Sequence, residues 1–268
     1  MLTRTSRSVS LTDAGERLLA NAGAAIDQAL ESLRTVKAQS GEVHGRIKIT
    51  VPSVAVPLVL ARLLPRFVAR YPKVEVDVRV DESKVNIVAD GLDAGIRLVE
   101  AIDRDMVHVR LLPPCRIVVA GAPSYFEKRG APQKPPELLH HDCIGIRFAT
   151  SGEPWTWELE RGKKTWRVPV HSPVITNNRE LMKTLALAGV GLIYSLEPAI
   201  AQEVAQGRLR VVLESYAPEV PGLFLYFPSR AQVSPSLKAF AEMARDMAKE
   251  PEAMKLTVSA NRARQRQS

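Results

Sequence analysis

The chain has 268 residues, of which 46% are hydrophobic and 25% charged, the composition of an ordinary globular protein with a sizeable core rather than of a disordered chain. This length predicts one large domain or two small ones. Cys115 and Cys143 are too few for a disulfide framework, and no apolar run approaches the length of a membrane span. The formal net charge of +8 favours a polyanionic partner. We therefore expect a cytoplasmic globular protein.

The chain begins with an arm rich in Arg, Ser and Thr that leads directly into a predicted helix. No proline occurs from Thr12 to Gln39, and Asp13 and Glu16 place negative charge in the first turn, where the helix dipole favours it. Apolar residues then recur at alternating intervals of three and four, namely Leu19, Ala22, Ile26, Ala29, Leu33 and Val36. This spacing predicts a dimerisation helix over 12–41, with packing on its own domain as the alternative.

Beyond this helix, strands and helices alternate. Ile47, Ile49 and Val51 alternate with polar residues, which predicts a strand. A helix follows through VPLVLARLLPRFVARYP, and its Pro65 is expected to bend or split it. The next predicted elements are a strand over 74–80, a short helix in SKVNIVADG and a strand in DAGIRLV. This β-α-β-α-β order predicts an α/β fold with a parallel sheet.

The second half continues the α/β pattern. RIVVAGAP and DCIGIRF each predict a strand, and SYFEKRG predicts a helical turn between them. WTWELERGKKTWRVPV predicts a hairpin that turns near Arg161 and Gly162. NRELMKTLALAGVGLIY predicts a helix and a strand, GLFLYFP a late strand, and SPSLKAFAEMARDMA a last helix capped by Ser234 or Ser236. Residues 251–268 are basic and poor in large apolar side chains, which predicts a disordered tail.

Three residues are candidates for binding an anion. Ser53 follows a predicted strand and starts a predicted helix, whose N-terminal N–H groups bind anions, although an ordinary N-cap is the alternative. Arg97 and Arg147 lie at strand ends, where open α/β sheets bind ligands. A guanidinium is matched to a carboxylate, with surface ion pairing as the alternative for both arginines. Together they predict a small anionic ligand.

The sequence gives little support to a catalytic or metal site. The VPSVA segment around Ser53 lacks the glycines of a nucleophile elbow. His140, His141 and Cys143 are close in sequence, but a metal needs three or four convergent ligands and no second cluster accompanies them. We therefore predict no enzyme activity, no cofactor and no metal.

Taken in order, these segments resemble the LysR-type transcriptional regulators along nearly the whole chain. LTRTSRSVSLTDAGERLL is similar to the family's wing and the start of its linker helix, through Arg4, Arg7, Leu11, Thr12, Asp13, Ala14 and Gly15. The segments GRIKITVP, LPRFVARYPKVEVDVRV, DGLDAGIRL and APSYFEKRGAPQKPPELLHHDCI match the family's effector-binding domain in order and spacing, as do LALAGVGLIYSLEP and GRLRVVLESY.

The resemblance implies a periplasmic-binding-protein-like effector domain of two α/β subdomains, preceded by a long dimerisation linker helix. Subdomain I is expected over 46–118 and 225–250, and subdomain II over 119–224, with the ligand in the cleft between them. Residues 1–11 are then the remnant of a DNA-binding wing. Two crossing strands, near RIVVAGA and GLFLYFP, are expected to join the subdomains.

Family members begin with a winged helix-turn-helix, whereas this sequence begins at Met1, where the wing starts. The resemblance therefore implies that the recognition helix is missing, through a truncated gene product, a mis-assigned start codon or a trimmed chain. Arg4, Thr5 and Arg7 remain as candidate DNA contacts. Their two positive charges are expected to give weak binding without sequence preference.

The resemblance also adds residues to the candidate site and implies the partners. Val54 beside Ser53, together with Phe148, Thr176 and Asn178, is expected to face the effector cleft. The implied partners are DNA, a small and anionic effector, and further copies of the chain in a homodimer or homotetramer, with no membrane. The implied function is transcription regulation by effector binding. A stand-alone solute-binding protein of the same fold is the alternative.

Overall fold

The computed structural model describes residues 2–4, 9–11, 22, 42–83, 85–98, 106–147, 154–228 and 233–250. Near the start of the chain, strand β1 (Leu2–Arg4) pairs antiparallel with β2 (Val9–Leu11). Apart from Ala22, which is helical, the predicted dimerisation helix lies outside the described residues. So do Thr5, Arg7, Phe148 and the basic tail, and the predictions for all of these stay predictions.

A five-stranded sheet, in the order β4-β3-β5-β15-β6, forms the first half of the fold. Its strands are β3 (Gly45–Val51), β4 (Val74–Val80), β5 (Ala94–Leu98), β6 (Met106–Arg110) and β15 (Leu223–Pro228). Strand β3 pairs parallel with β4 and β5, as the β-α-β-α-β pattern predicts, and β15 pairs antiparallel with β5 and β6. The alternating Ile47, Ile49 and Val51 are fully buried.

The helix between β3 and β4 continues through its proline. A π-helical turn over Val56–Leu60 leads into α1 (Ala61–Arg70), and Pro65 lies inside α1 without ending it. The expectation that Pro65 splits the helix is therefore wrong. Leu63 and Phe67, on either side of Pro65, are both fully buried, so tertiary packing holds the helix across the hydrogen bond that a proline cannot make.

A single turn replaces the short helix expected in SKVNIVADG. The backbone N–H of Asp90 donates to the carbonyl oxygen of Asn86 at 2.9 Å, and the turn ends at Gly91, whose φ is +63°. The Asn86 side chain accepts from the N–H groups of Val88 and Ala89. The Asn86 side-chain oxygen thus accepts from the first N–H groups of the turn, as an N-cap does, and Gly91 ends the segment before a second turn forms.

A second sheet is built around β7 (Cys115–Gly121) and is antiparallel throughout. Its other strands are β12 (Ile193–Leu196), β13 (Arg210–Val212) and β14 (Glu219–Val220). Beside it lie the parallel pair β8 (Ile144–Ile146) and β11 (Val174–Thr176), and the predicted hairpin of β9 (Trp157–Arg161) and β10 (Lys164–Val168). The two sheets confirm the predicted α/β class and its two-part architecture.

The remaining helices pack around these sheets. They are α2 (Pro123–Arg129), α3 (Arg179–Leu187), α4 (Ala201–Ala205) and α5 (Pro235–Ala248), with 3-10 turns over Pro135–His140, Glu197–Ile200 and Glu214–Tyr216. Ser234 caps α5, because its hydroxyl oxygen accepts from the N–H of Leu237 at 3.2 Å. This settles the choice between Ser234 and Ser236.

Two chain segments connect the sheets and run side by side. One joins β6 to β7 and the other joins β14 to β15. The N–H groups of Leu111 and Leu112 both donate to the carbonyl oxygen of Leu223, at 2.8 and 3.2 Å. The predicted subdomain boundaries fall inside β7 and β15 and stay a prediction.

Gly222 allows these two connections to approach each other, and a substitution at this position tests how much that close approach matters for stability. Its φ is +90°, and a Cβ there would collide with the carbonyl oxygen of Leu112. We expect Gly222→Ala to lower the free energy of unfolding by about 3 kcal/mol or more, since backbone strain of about 1–2 kcal/mol adds to the overlap. Urea denaturation measures the loss.

Gly130→Ala is the matched control. Gly130 has a φ of +72°, and no atom of the described residues beyond its chain neighbours lies within 4 Å of the added Cβ, so we expect the strain alone, about 1–2 kcal/mol. Equal losses in the two variants would contradict the importance of the close approach at Gly222.

Candidate functional site

A crevice with a cavity volume of about 30 Å³ lies between the segment that follows β3 and the wall formed by α3. Ser53, Val54 and Pro57 line it on the side of the first sheet. The opposite wall carries charged side chains, Arg179, Glu180 and Lys183, above buried apolar ones, Met182, Ile193 and Ile200. Elements of both sheets therefore form the crevice.

Ser53 binds a carboxylate of its own chain. Its backbone N–H donates to Oε1 of Glu82 at 2.9 Å, and its hydroxyl donates to the same oxygen. The other oxygen, Oε2, lies 3.5 Å from Nε of Arg179 on the opposite wall. The side chains of Glu82 and Arg179 are 12% and 17% exposed, so water screens this ion pair little.

The alternative in which Ser53 is an ordinary N-cap does not fit the geometry. Ala55, which makes no side-chain capping bond, stands at the N-cap position of the helical segment. The Ser53 hydroxyl is used toward Glu82 instead. Ser53 is thus a carboxylate-binding residue in this structure, and its partner is a residue that sequence analysis did not single out.

The parallel register explains why Ser53 and Glu82 meet. Val51 of β3 lies opposite Val80 of β4, and the two chains leave the sheet at the same edge because the strands are parallel. Two residues further on, these chains place Ser53 and Glu82 side by side. The one signal for Glu82 in the sequence was its position just after a strand end, where open α/β sheets bind ligands.

Arg97 lies beneath this edge of the sheet. Among the described residues, its guanidinium binds groups inside the protein. Its side chain is 7% exposed and donates to Thr50 Oγ1 at 3.1 Å and to the backbone carbonyl oxygens of Ile96, Asp81 and Ser83 at 2.7, 3.0 and 3.1 Å. Burial lowers the pKa of its guanidinium, while Tyr226, Glu82 and Asp81 act to raise it. Arg97 does not line the crevice.

The segment that carries Glu82 is fixed from both sides. Arg97 holds the carbonyl groups of Asp81 and Ser83. The Asp81 carboxylate in turn accepts from the hydroxyl and the backbone N–H of Ser83, the latter at 2.8 Å. These bonds from Ser83, with a contribution from Arg79, lower the pKa of Asp81, which therefore remains ionised. Glu82 is thus presented by a rigid turn.

Arg147, Thr176 and Asn178 form a chain of contacts that leads to the opposite wall. The N–H of Arg147, which is exposed, donates to the Thr176 carbonyl oxygen at 2.9 Å, and the Thr176 hydroxyl oxygen accepts from the N–H of Asn178 at 3.0 Å. Asn178 caps α3 by accepting from Leu181 at 3.0 Å. None of the three lines the crevice, whereas Ser53 and Val54 do. Their roles as effector contacts stay predictions.

Two cations on α3 were missed by sequence analysis. Arg179 and Lys183 are one helical turn apart on α3, and both line the crevice. Nζ of Lys183 lies 3.2 Å from Oε1 of Glu180 and 3.5 Å from Oε1 of Glu203. The cations that line the crevice are therefore on α3, and the predicted roles of Arg97 and Arg147 stay predictions.

The HHDC segment has a structural role in the described part of the chain. Nδ1 of His141 lies 3.1 Å from the hydroxyl of Tyr125, which accepts from the N–H of Asp142 at 2.9 Å. Burial lowers the pKa of His141 and favours its neutral form. Over the described ranges, no three His, Cys, Asp or Glu side chains are grouped as metal ligands. No helix within those ranges has the length and apolarity needed to cross a bilayer.

Comparison with known proteins places this geometry in context. The protein-family model of the LysR substrate binding domain matches residues 40–249. A putative transcriptional regulator of Pseudomonas aeruginosa is 37% identical over 246 residues, which cover 91% of this chain and 80% of that protein. The uncharacterized HTH-type transcriptional regulator YcaN of Escherichia coli is 35% identical over 242 residues, covering 90% of this chain and 79% of that protein.

Solved structures share the fold. CrgA, a LysR-type transcriptional regulator from Neisseria meningitidis, superposes with a TM-score of 0.67 at 22% identity, covering 92% of this chain and 84% of that one. The full-length virulence activator AphB of Vibrio cholerae gives a TM-score of 0.67 at 15% identity, covering 92% and 83%. At these identities the likeness establishes the architecture alone.

The role of Arg97 gives a prediction about stability. Replacing it by Met leaves the buried acceptor of Thr50 and the half-buried acceptors of Asp81 and Ser83 without their donor, and a buried group left unsatisfied costs about 1–3 kcal/mol. We expect Arg97→Met to reduce the free energy of unfolding by about 3 kcal/mol or more in urea denaturation.

Arg46→Met is the matched control for this experiment. Arg46 forms exposed ion pairs with Glu75 and Asp77, at 3.4 and 2.6 Å. Such surface pairs contribute about 0–1 kcal/mol, so we expect a small loss. If Arg97→Met cost no more than Arg46→Met, the guanidinium would not organise the edge of the first sheet.

Proposed function

The chain belongs to the LysR-type transcriptional regulators, and from this premise we propose that it binds a small organic acid in the crevice and controls transcription through DNA as an oligomer. One observation carries the choice of ligand. Ser53 and Arg179 already bind a carboxylate, that of Glu82, and donors that suit one carboxylate suit another.

The walls of the crevice support a ligand with an acid group and a small apolar body. Arg179 and Lys183 supply positive charge on one wall, and the Ser53 N–H and hydroxyl supply donors on the other. Met182, Ile193 and Ile200 form an apolar floor and are almost fully buried. Ligand sites commonly combine such a floor with a few convergent polar groups.

DNA binding and self-association are part of the same proposal. YcaN of Escherichia coli, similar over 90% of this chain, is described as an HTH-type transcriptional regulator. The alternating spacing of apolar residues from Leu19 to Val36 supports pairing between copies of the chain. Because the target is DNA, we also place the protein in the cytoplasm. Regulation would follow when the bound ligand changes the relative position of the two sheets.

A thermal-shift screen of small organic acids tests the ligand class. A ligand selective for the folded state raises the melting temperature, so carboxylates should give the hits. A charge-assisted contact is worth about 1.5–3 kcal/mol, and Lys183→Met should therefore weaken binding roughly tenfold to a hundredfold. Lys238→Met, at an exposed position on α5, is the control and should leave affinity unchanged.

Two results of the screen would change the assignment. Hits that are neutral and apolar, with unchanged affinity in Lys183→Met, would exclude an acid as the ligand. Arg147→Ala tests the candidate outside the crevice in the same assay. If Arg147→Ala lost affinity while Lys183→Met kept it, the acid group would bind near β8 rather than near α3.

The proposed self-association has its own test. Replacing Ile26 and Leu33 together by Asp introduces charge at two positions of the predicted helix pair, where burying an unpaired charge is costly. We expect light scattering to show dissociation to the monomer mass. Gln28→Asp adds a charge outside the six apolar positions and should leave the mass unchanged. An unchanged mass in the double variant would contradict a dimerisation role for this segment.

A further inference from the structure

We propose that Glu82 is a built-in carboxylate that occupies the anion site of the crevice and ties its two walls together until the acid group of a ligand displaces it. The tie itself follows from the contacts of Glu82. Displacement by a ligand rests on the proposed function. The two parts are therefore tested separately.

The first wall holds one oxygen of Glu82 in the way a protein holds a bound carboxylate. Oε1 accepts two donors from the same residue, the N–H of Ser53 at 2.9 Å and its hydroxyl. Hydrogen bonds to an ionised acceptor are about twice as strong as neutral ones. Ser53 therefore provides a carboxylate site that is occupied before any ligand arrives.

The second wall holds the other oxygen more loosely. Nε of Arg179 lies 3.5 Å from Oε2 of Glu82, beyond the usual range for a hydrogen bond. This nitrogen is inaccessible to solvent and has no hydrogen-bond partner among the described residues. Arg179 thus keeps a buried donor that the Glu82 carboxylate attracts but does not satisfy. A ligand carboxylate placed slightly closer would satisfy it.

The surroundings allow the side chain to leave while its backbone stays in place. Arg97 binds the carbonyl oxygens of Asp81 and Ser83, the residues on either side of Glu82. Asp81 binds Ser83 directly. The turn is therefore fixed through its main chain, and the Glu82 side chain can rotate without unfolding it. A ligand needs to replace only the contacts of one carboxylate.

Glu82 competes with any ligand that uses the same donors. A group tethered beside its site has a high effective concentration there, so a free acid binds only after overcoming this competition. Removal of the Glu82 carboxylate should therefore open the site to a simple anion. Acetate is the smallest probe that reproduces the lost atoms, and acetamide is its neutral counterpart.

The experiment measures melting temperatures of the full chain in sodium acetate, acetamide and sodium chloride at equal concentration. In Glu82→Ala we expect acetate to raise the melting temperature above the chloride value, whereas acetamide does not. Glu82→Gln keeps the site filled and should show no acetate effect. The wild type should show none either. Glu75→Ala, which removes an exposed glutamate that pairs with Arg46, is the matched control and should behave as the wild type.

The outcomes separate this proposal from the function proposed above. A specific effect of acetate in Glu82→Ala supports the built-in carboxylate, even if no organic acid binds the wild type and the ligand proposal fails. An equal acetate effect in all variants, or none in Glu82→Ala, overturns the built-in carboxylate and leaves the ligand proposal standing. Acetate affinity in Glu82→Ala should exceed that of the wild type at least about tenfold.

If Glu82→Ala does not fold, a second measurement tests whether Glu82 holds the two walls of the crevice together. Glu82→Gln and Arg179→Gln each remove one charge of the pair without a large change in volume. We expect small-angle X-ray scattering to give both variants a larger radius of gyration than the wild type and Glu75→Gln, because the two walls are released. A radius of gyration that matches the wild type in both variants would overturn the tie between the walls.

Discussion

A buried guanidinium shapes the edge of the sheet on which the crevice depends. Arg97 leaves β5 beneath the ends of β3 and β4 and donates to Thr50 and to the carbonyl groups of Asp81 and Ser83. Parallel strands end at one edge, and their last carbonyl groups need donors there. Arg97 meets this need for the segment after β4, and it also binds the hydroxyl of Thr50 in β3. Ser53 and Glu82 can then stand side by side in a fixed geometry.

The connections between the two sheets determine how the sheets can move against each other. Buried side chains of both sheets belong to one continuous core. The connection from β6 to β7 is hydrogen-bonded to Leu223, the first residue of β15. Gly222 lets the two connections approach closely. Hinge motions change the angle between two units through a few loop or strand-end residues, and these connections are loops of that kind. Under the proposal above, the contact between Glu82 and Arg179 across the crevice therefore influences the angle between the two sheets.

The sequence predicted the elements whose pattern is periodic. The alternation of Ile47, Ile49 and Val51 identified β3, and the parallel order of the first three long strands followed from it. The predictions failed where a few side chains decide the local structure, as at Asn86, or where tertiary packing outweighs a proline, as at Pro65. Strand β6, with one buried residue among five, carries no such pattern and was missed.

The site was predictable to the level of its position in the fold but not its contacts. Ser53 stood out because a strand ends there, whereas its partner Glu82 depends on the register of β3 and β4, which single residues do not reveal. For the cation, sequence analysis proposed Arg97 and Arg147 at strand ends, whereas the cations that line the crevice, Arg179 and Lys183, lie on α3. Without Glu82, the half-buried Arg179 would lose the carboxylate that faces it, and a poorly solvated charge without a counterion is costly. Glu82 neutralises it, and an acid that replaces Glu82 preserves the balance. Under the proposed function, the charges of the crevice select acids as a class, and the apolar floor of Met182, Ile193 and Ile200 selects among them.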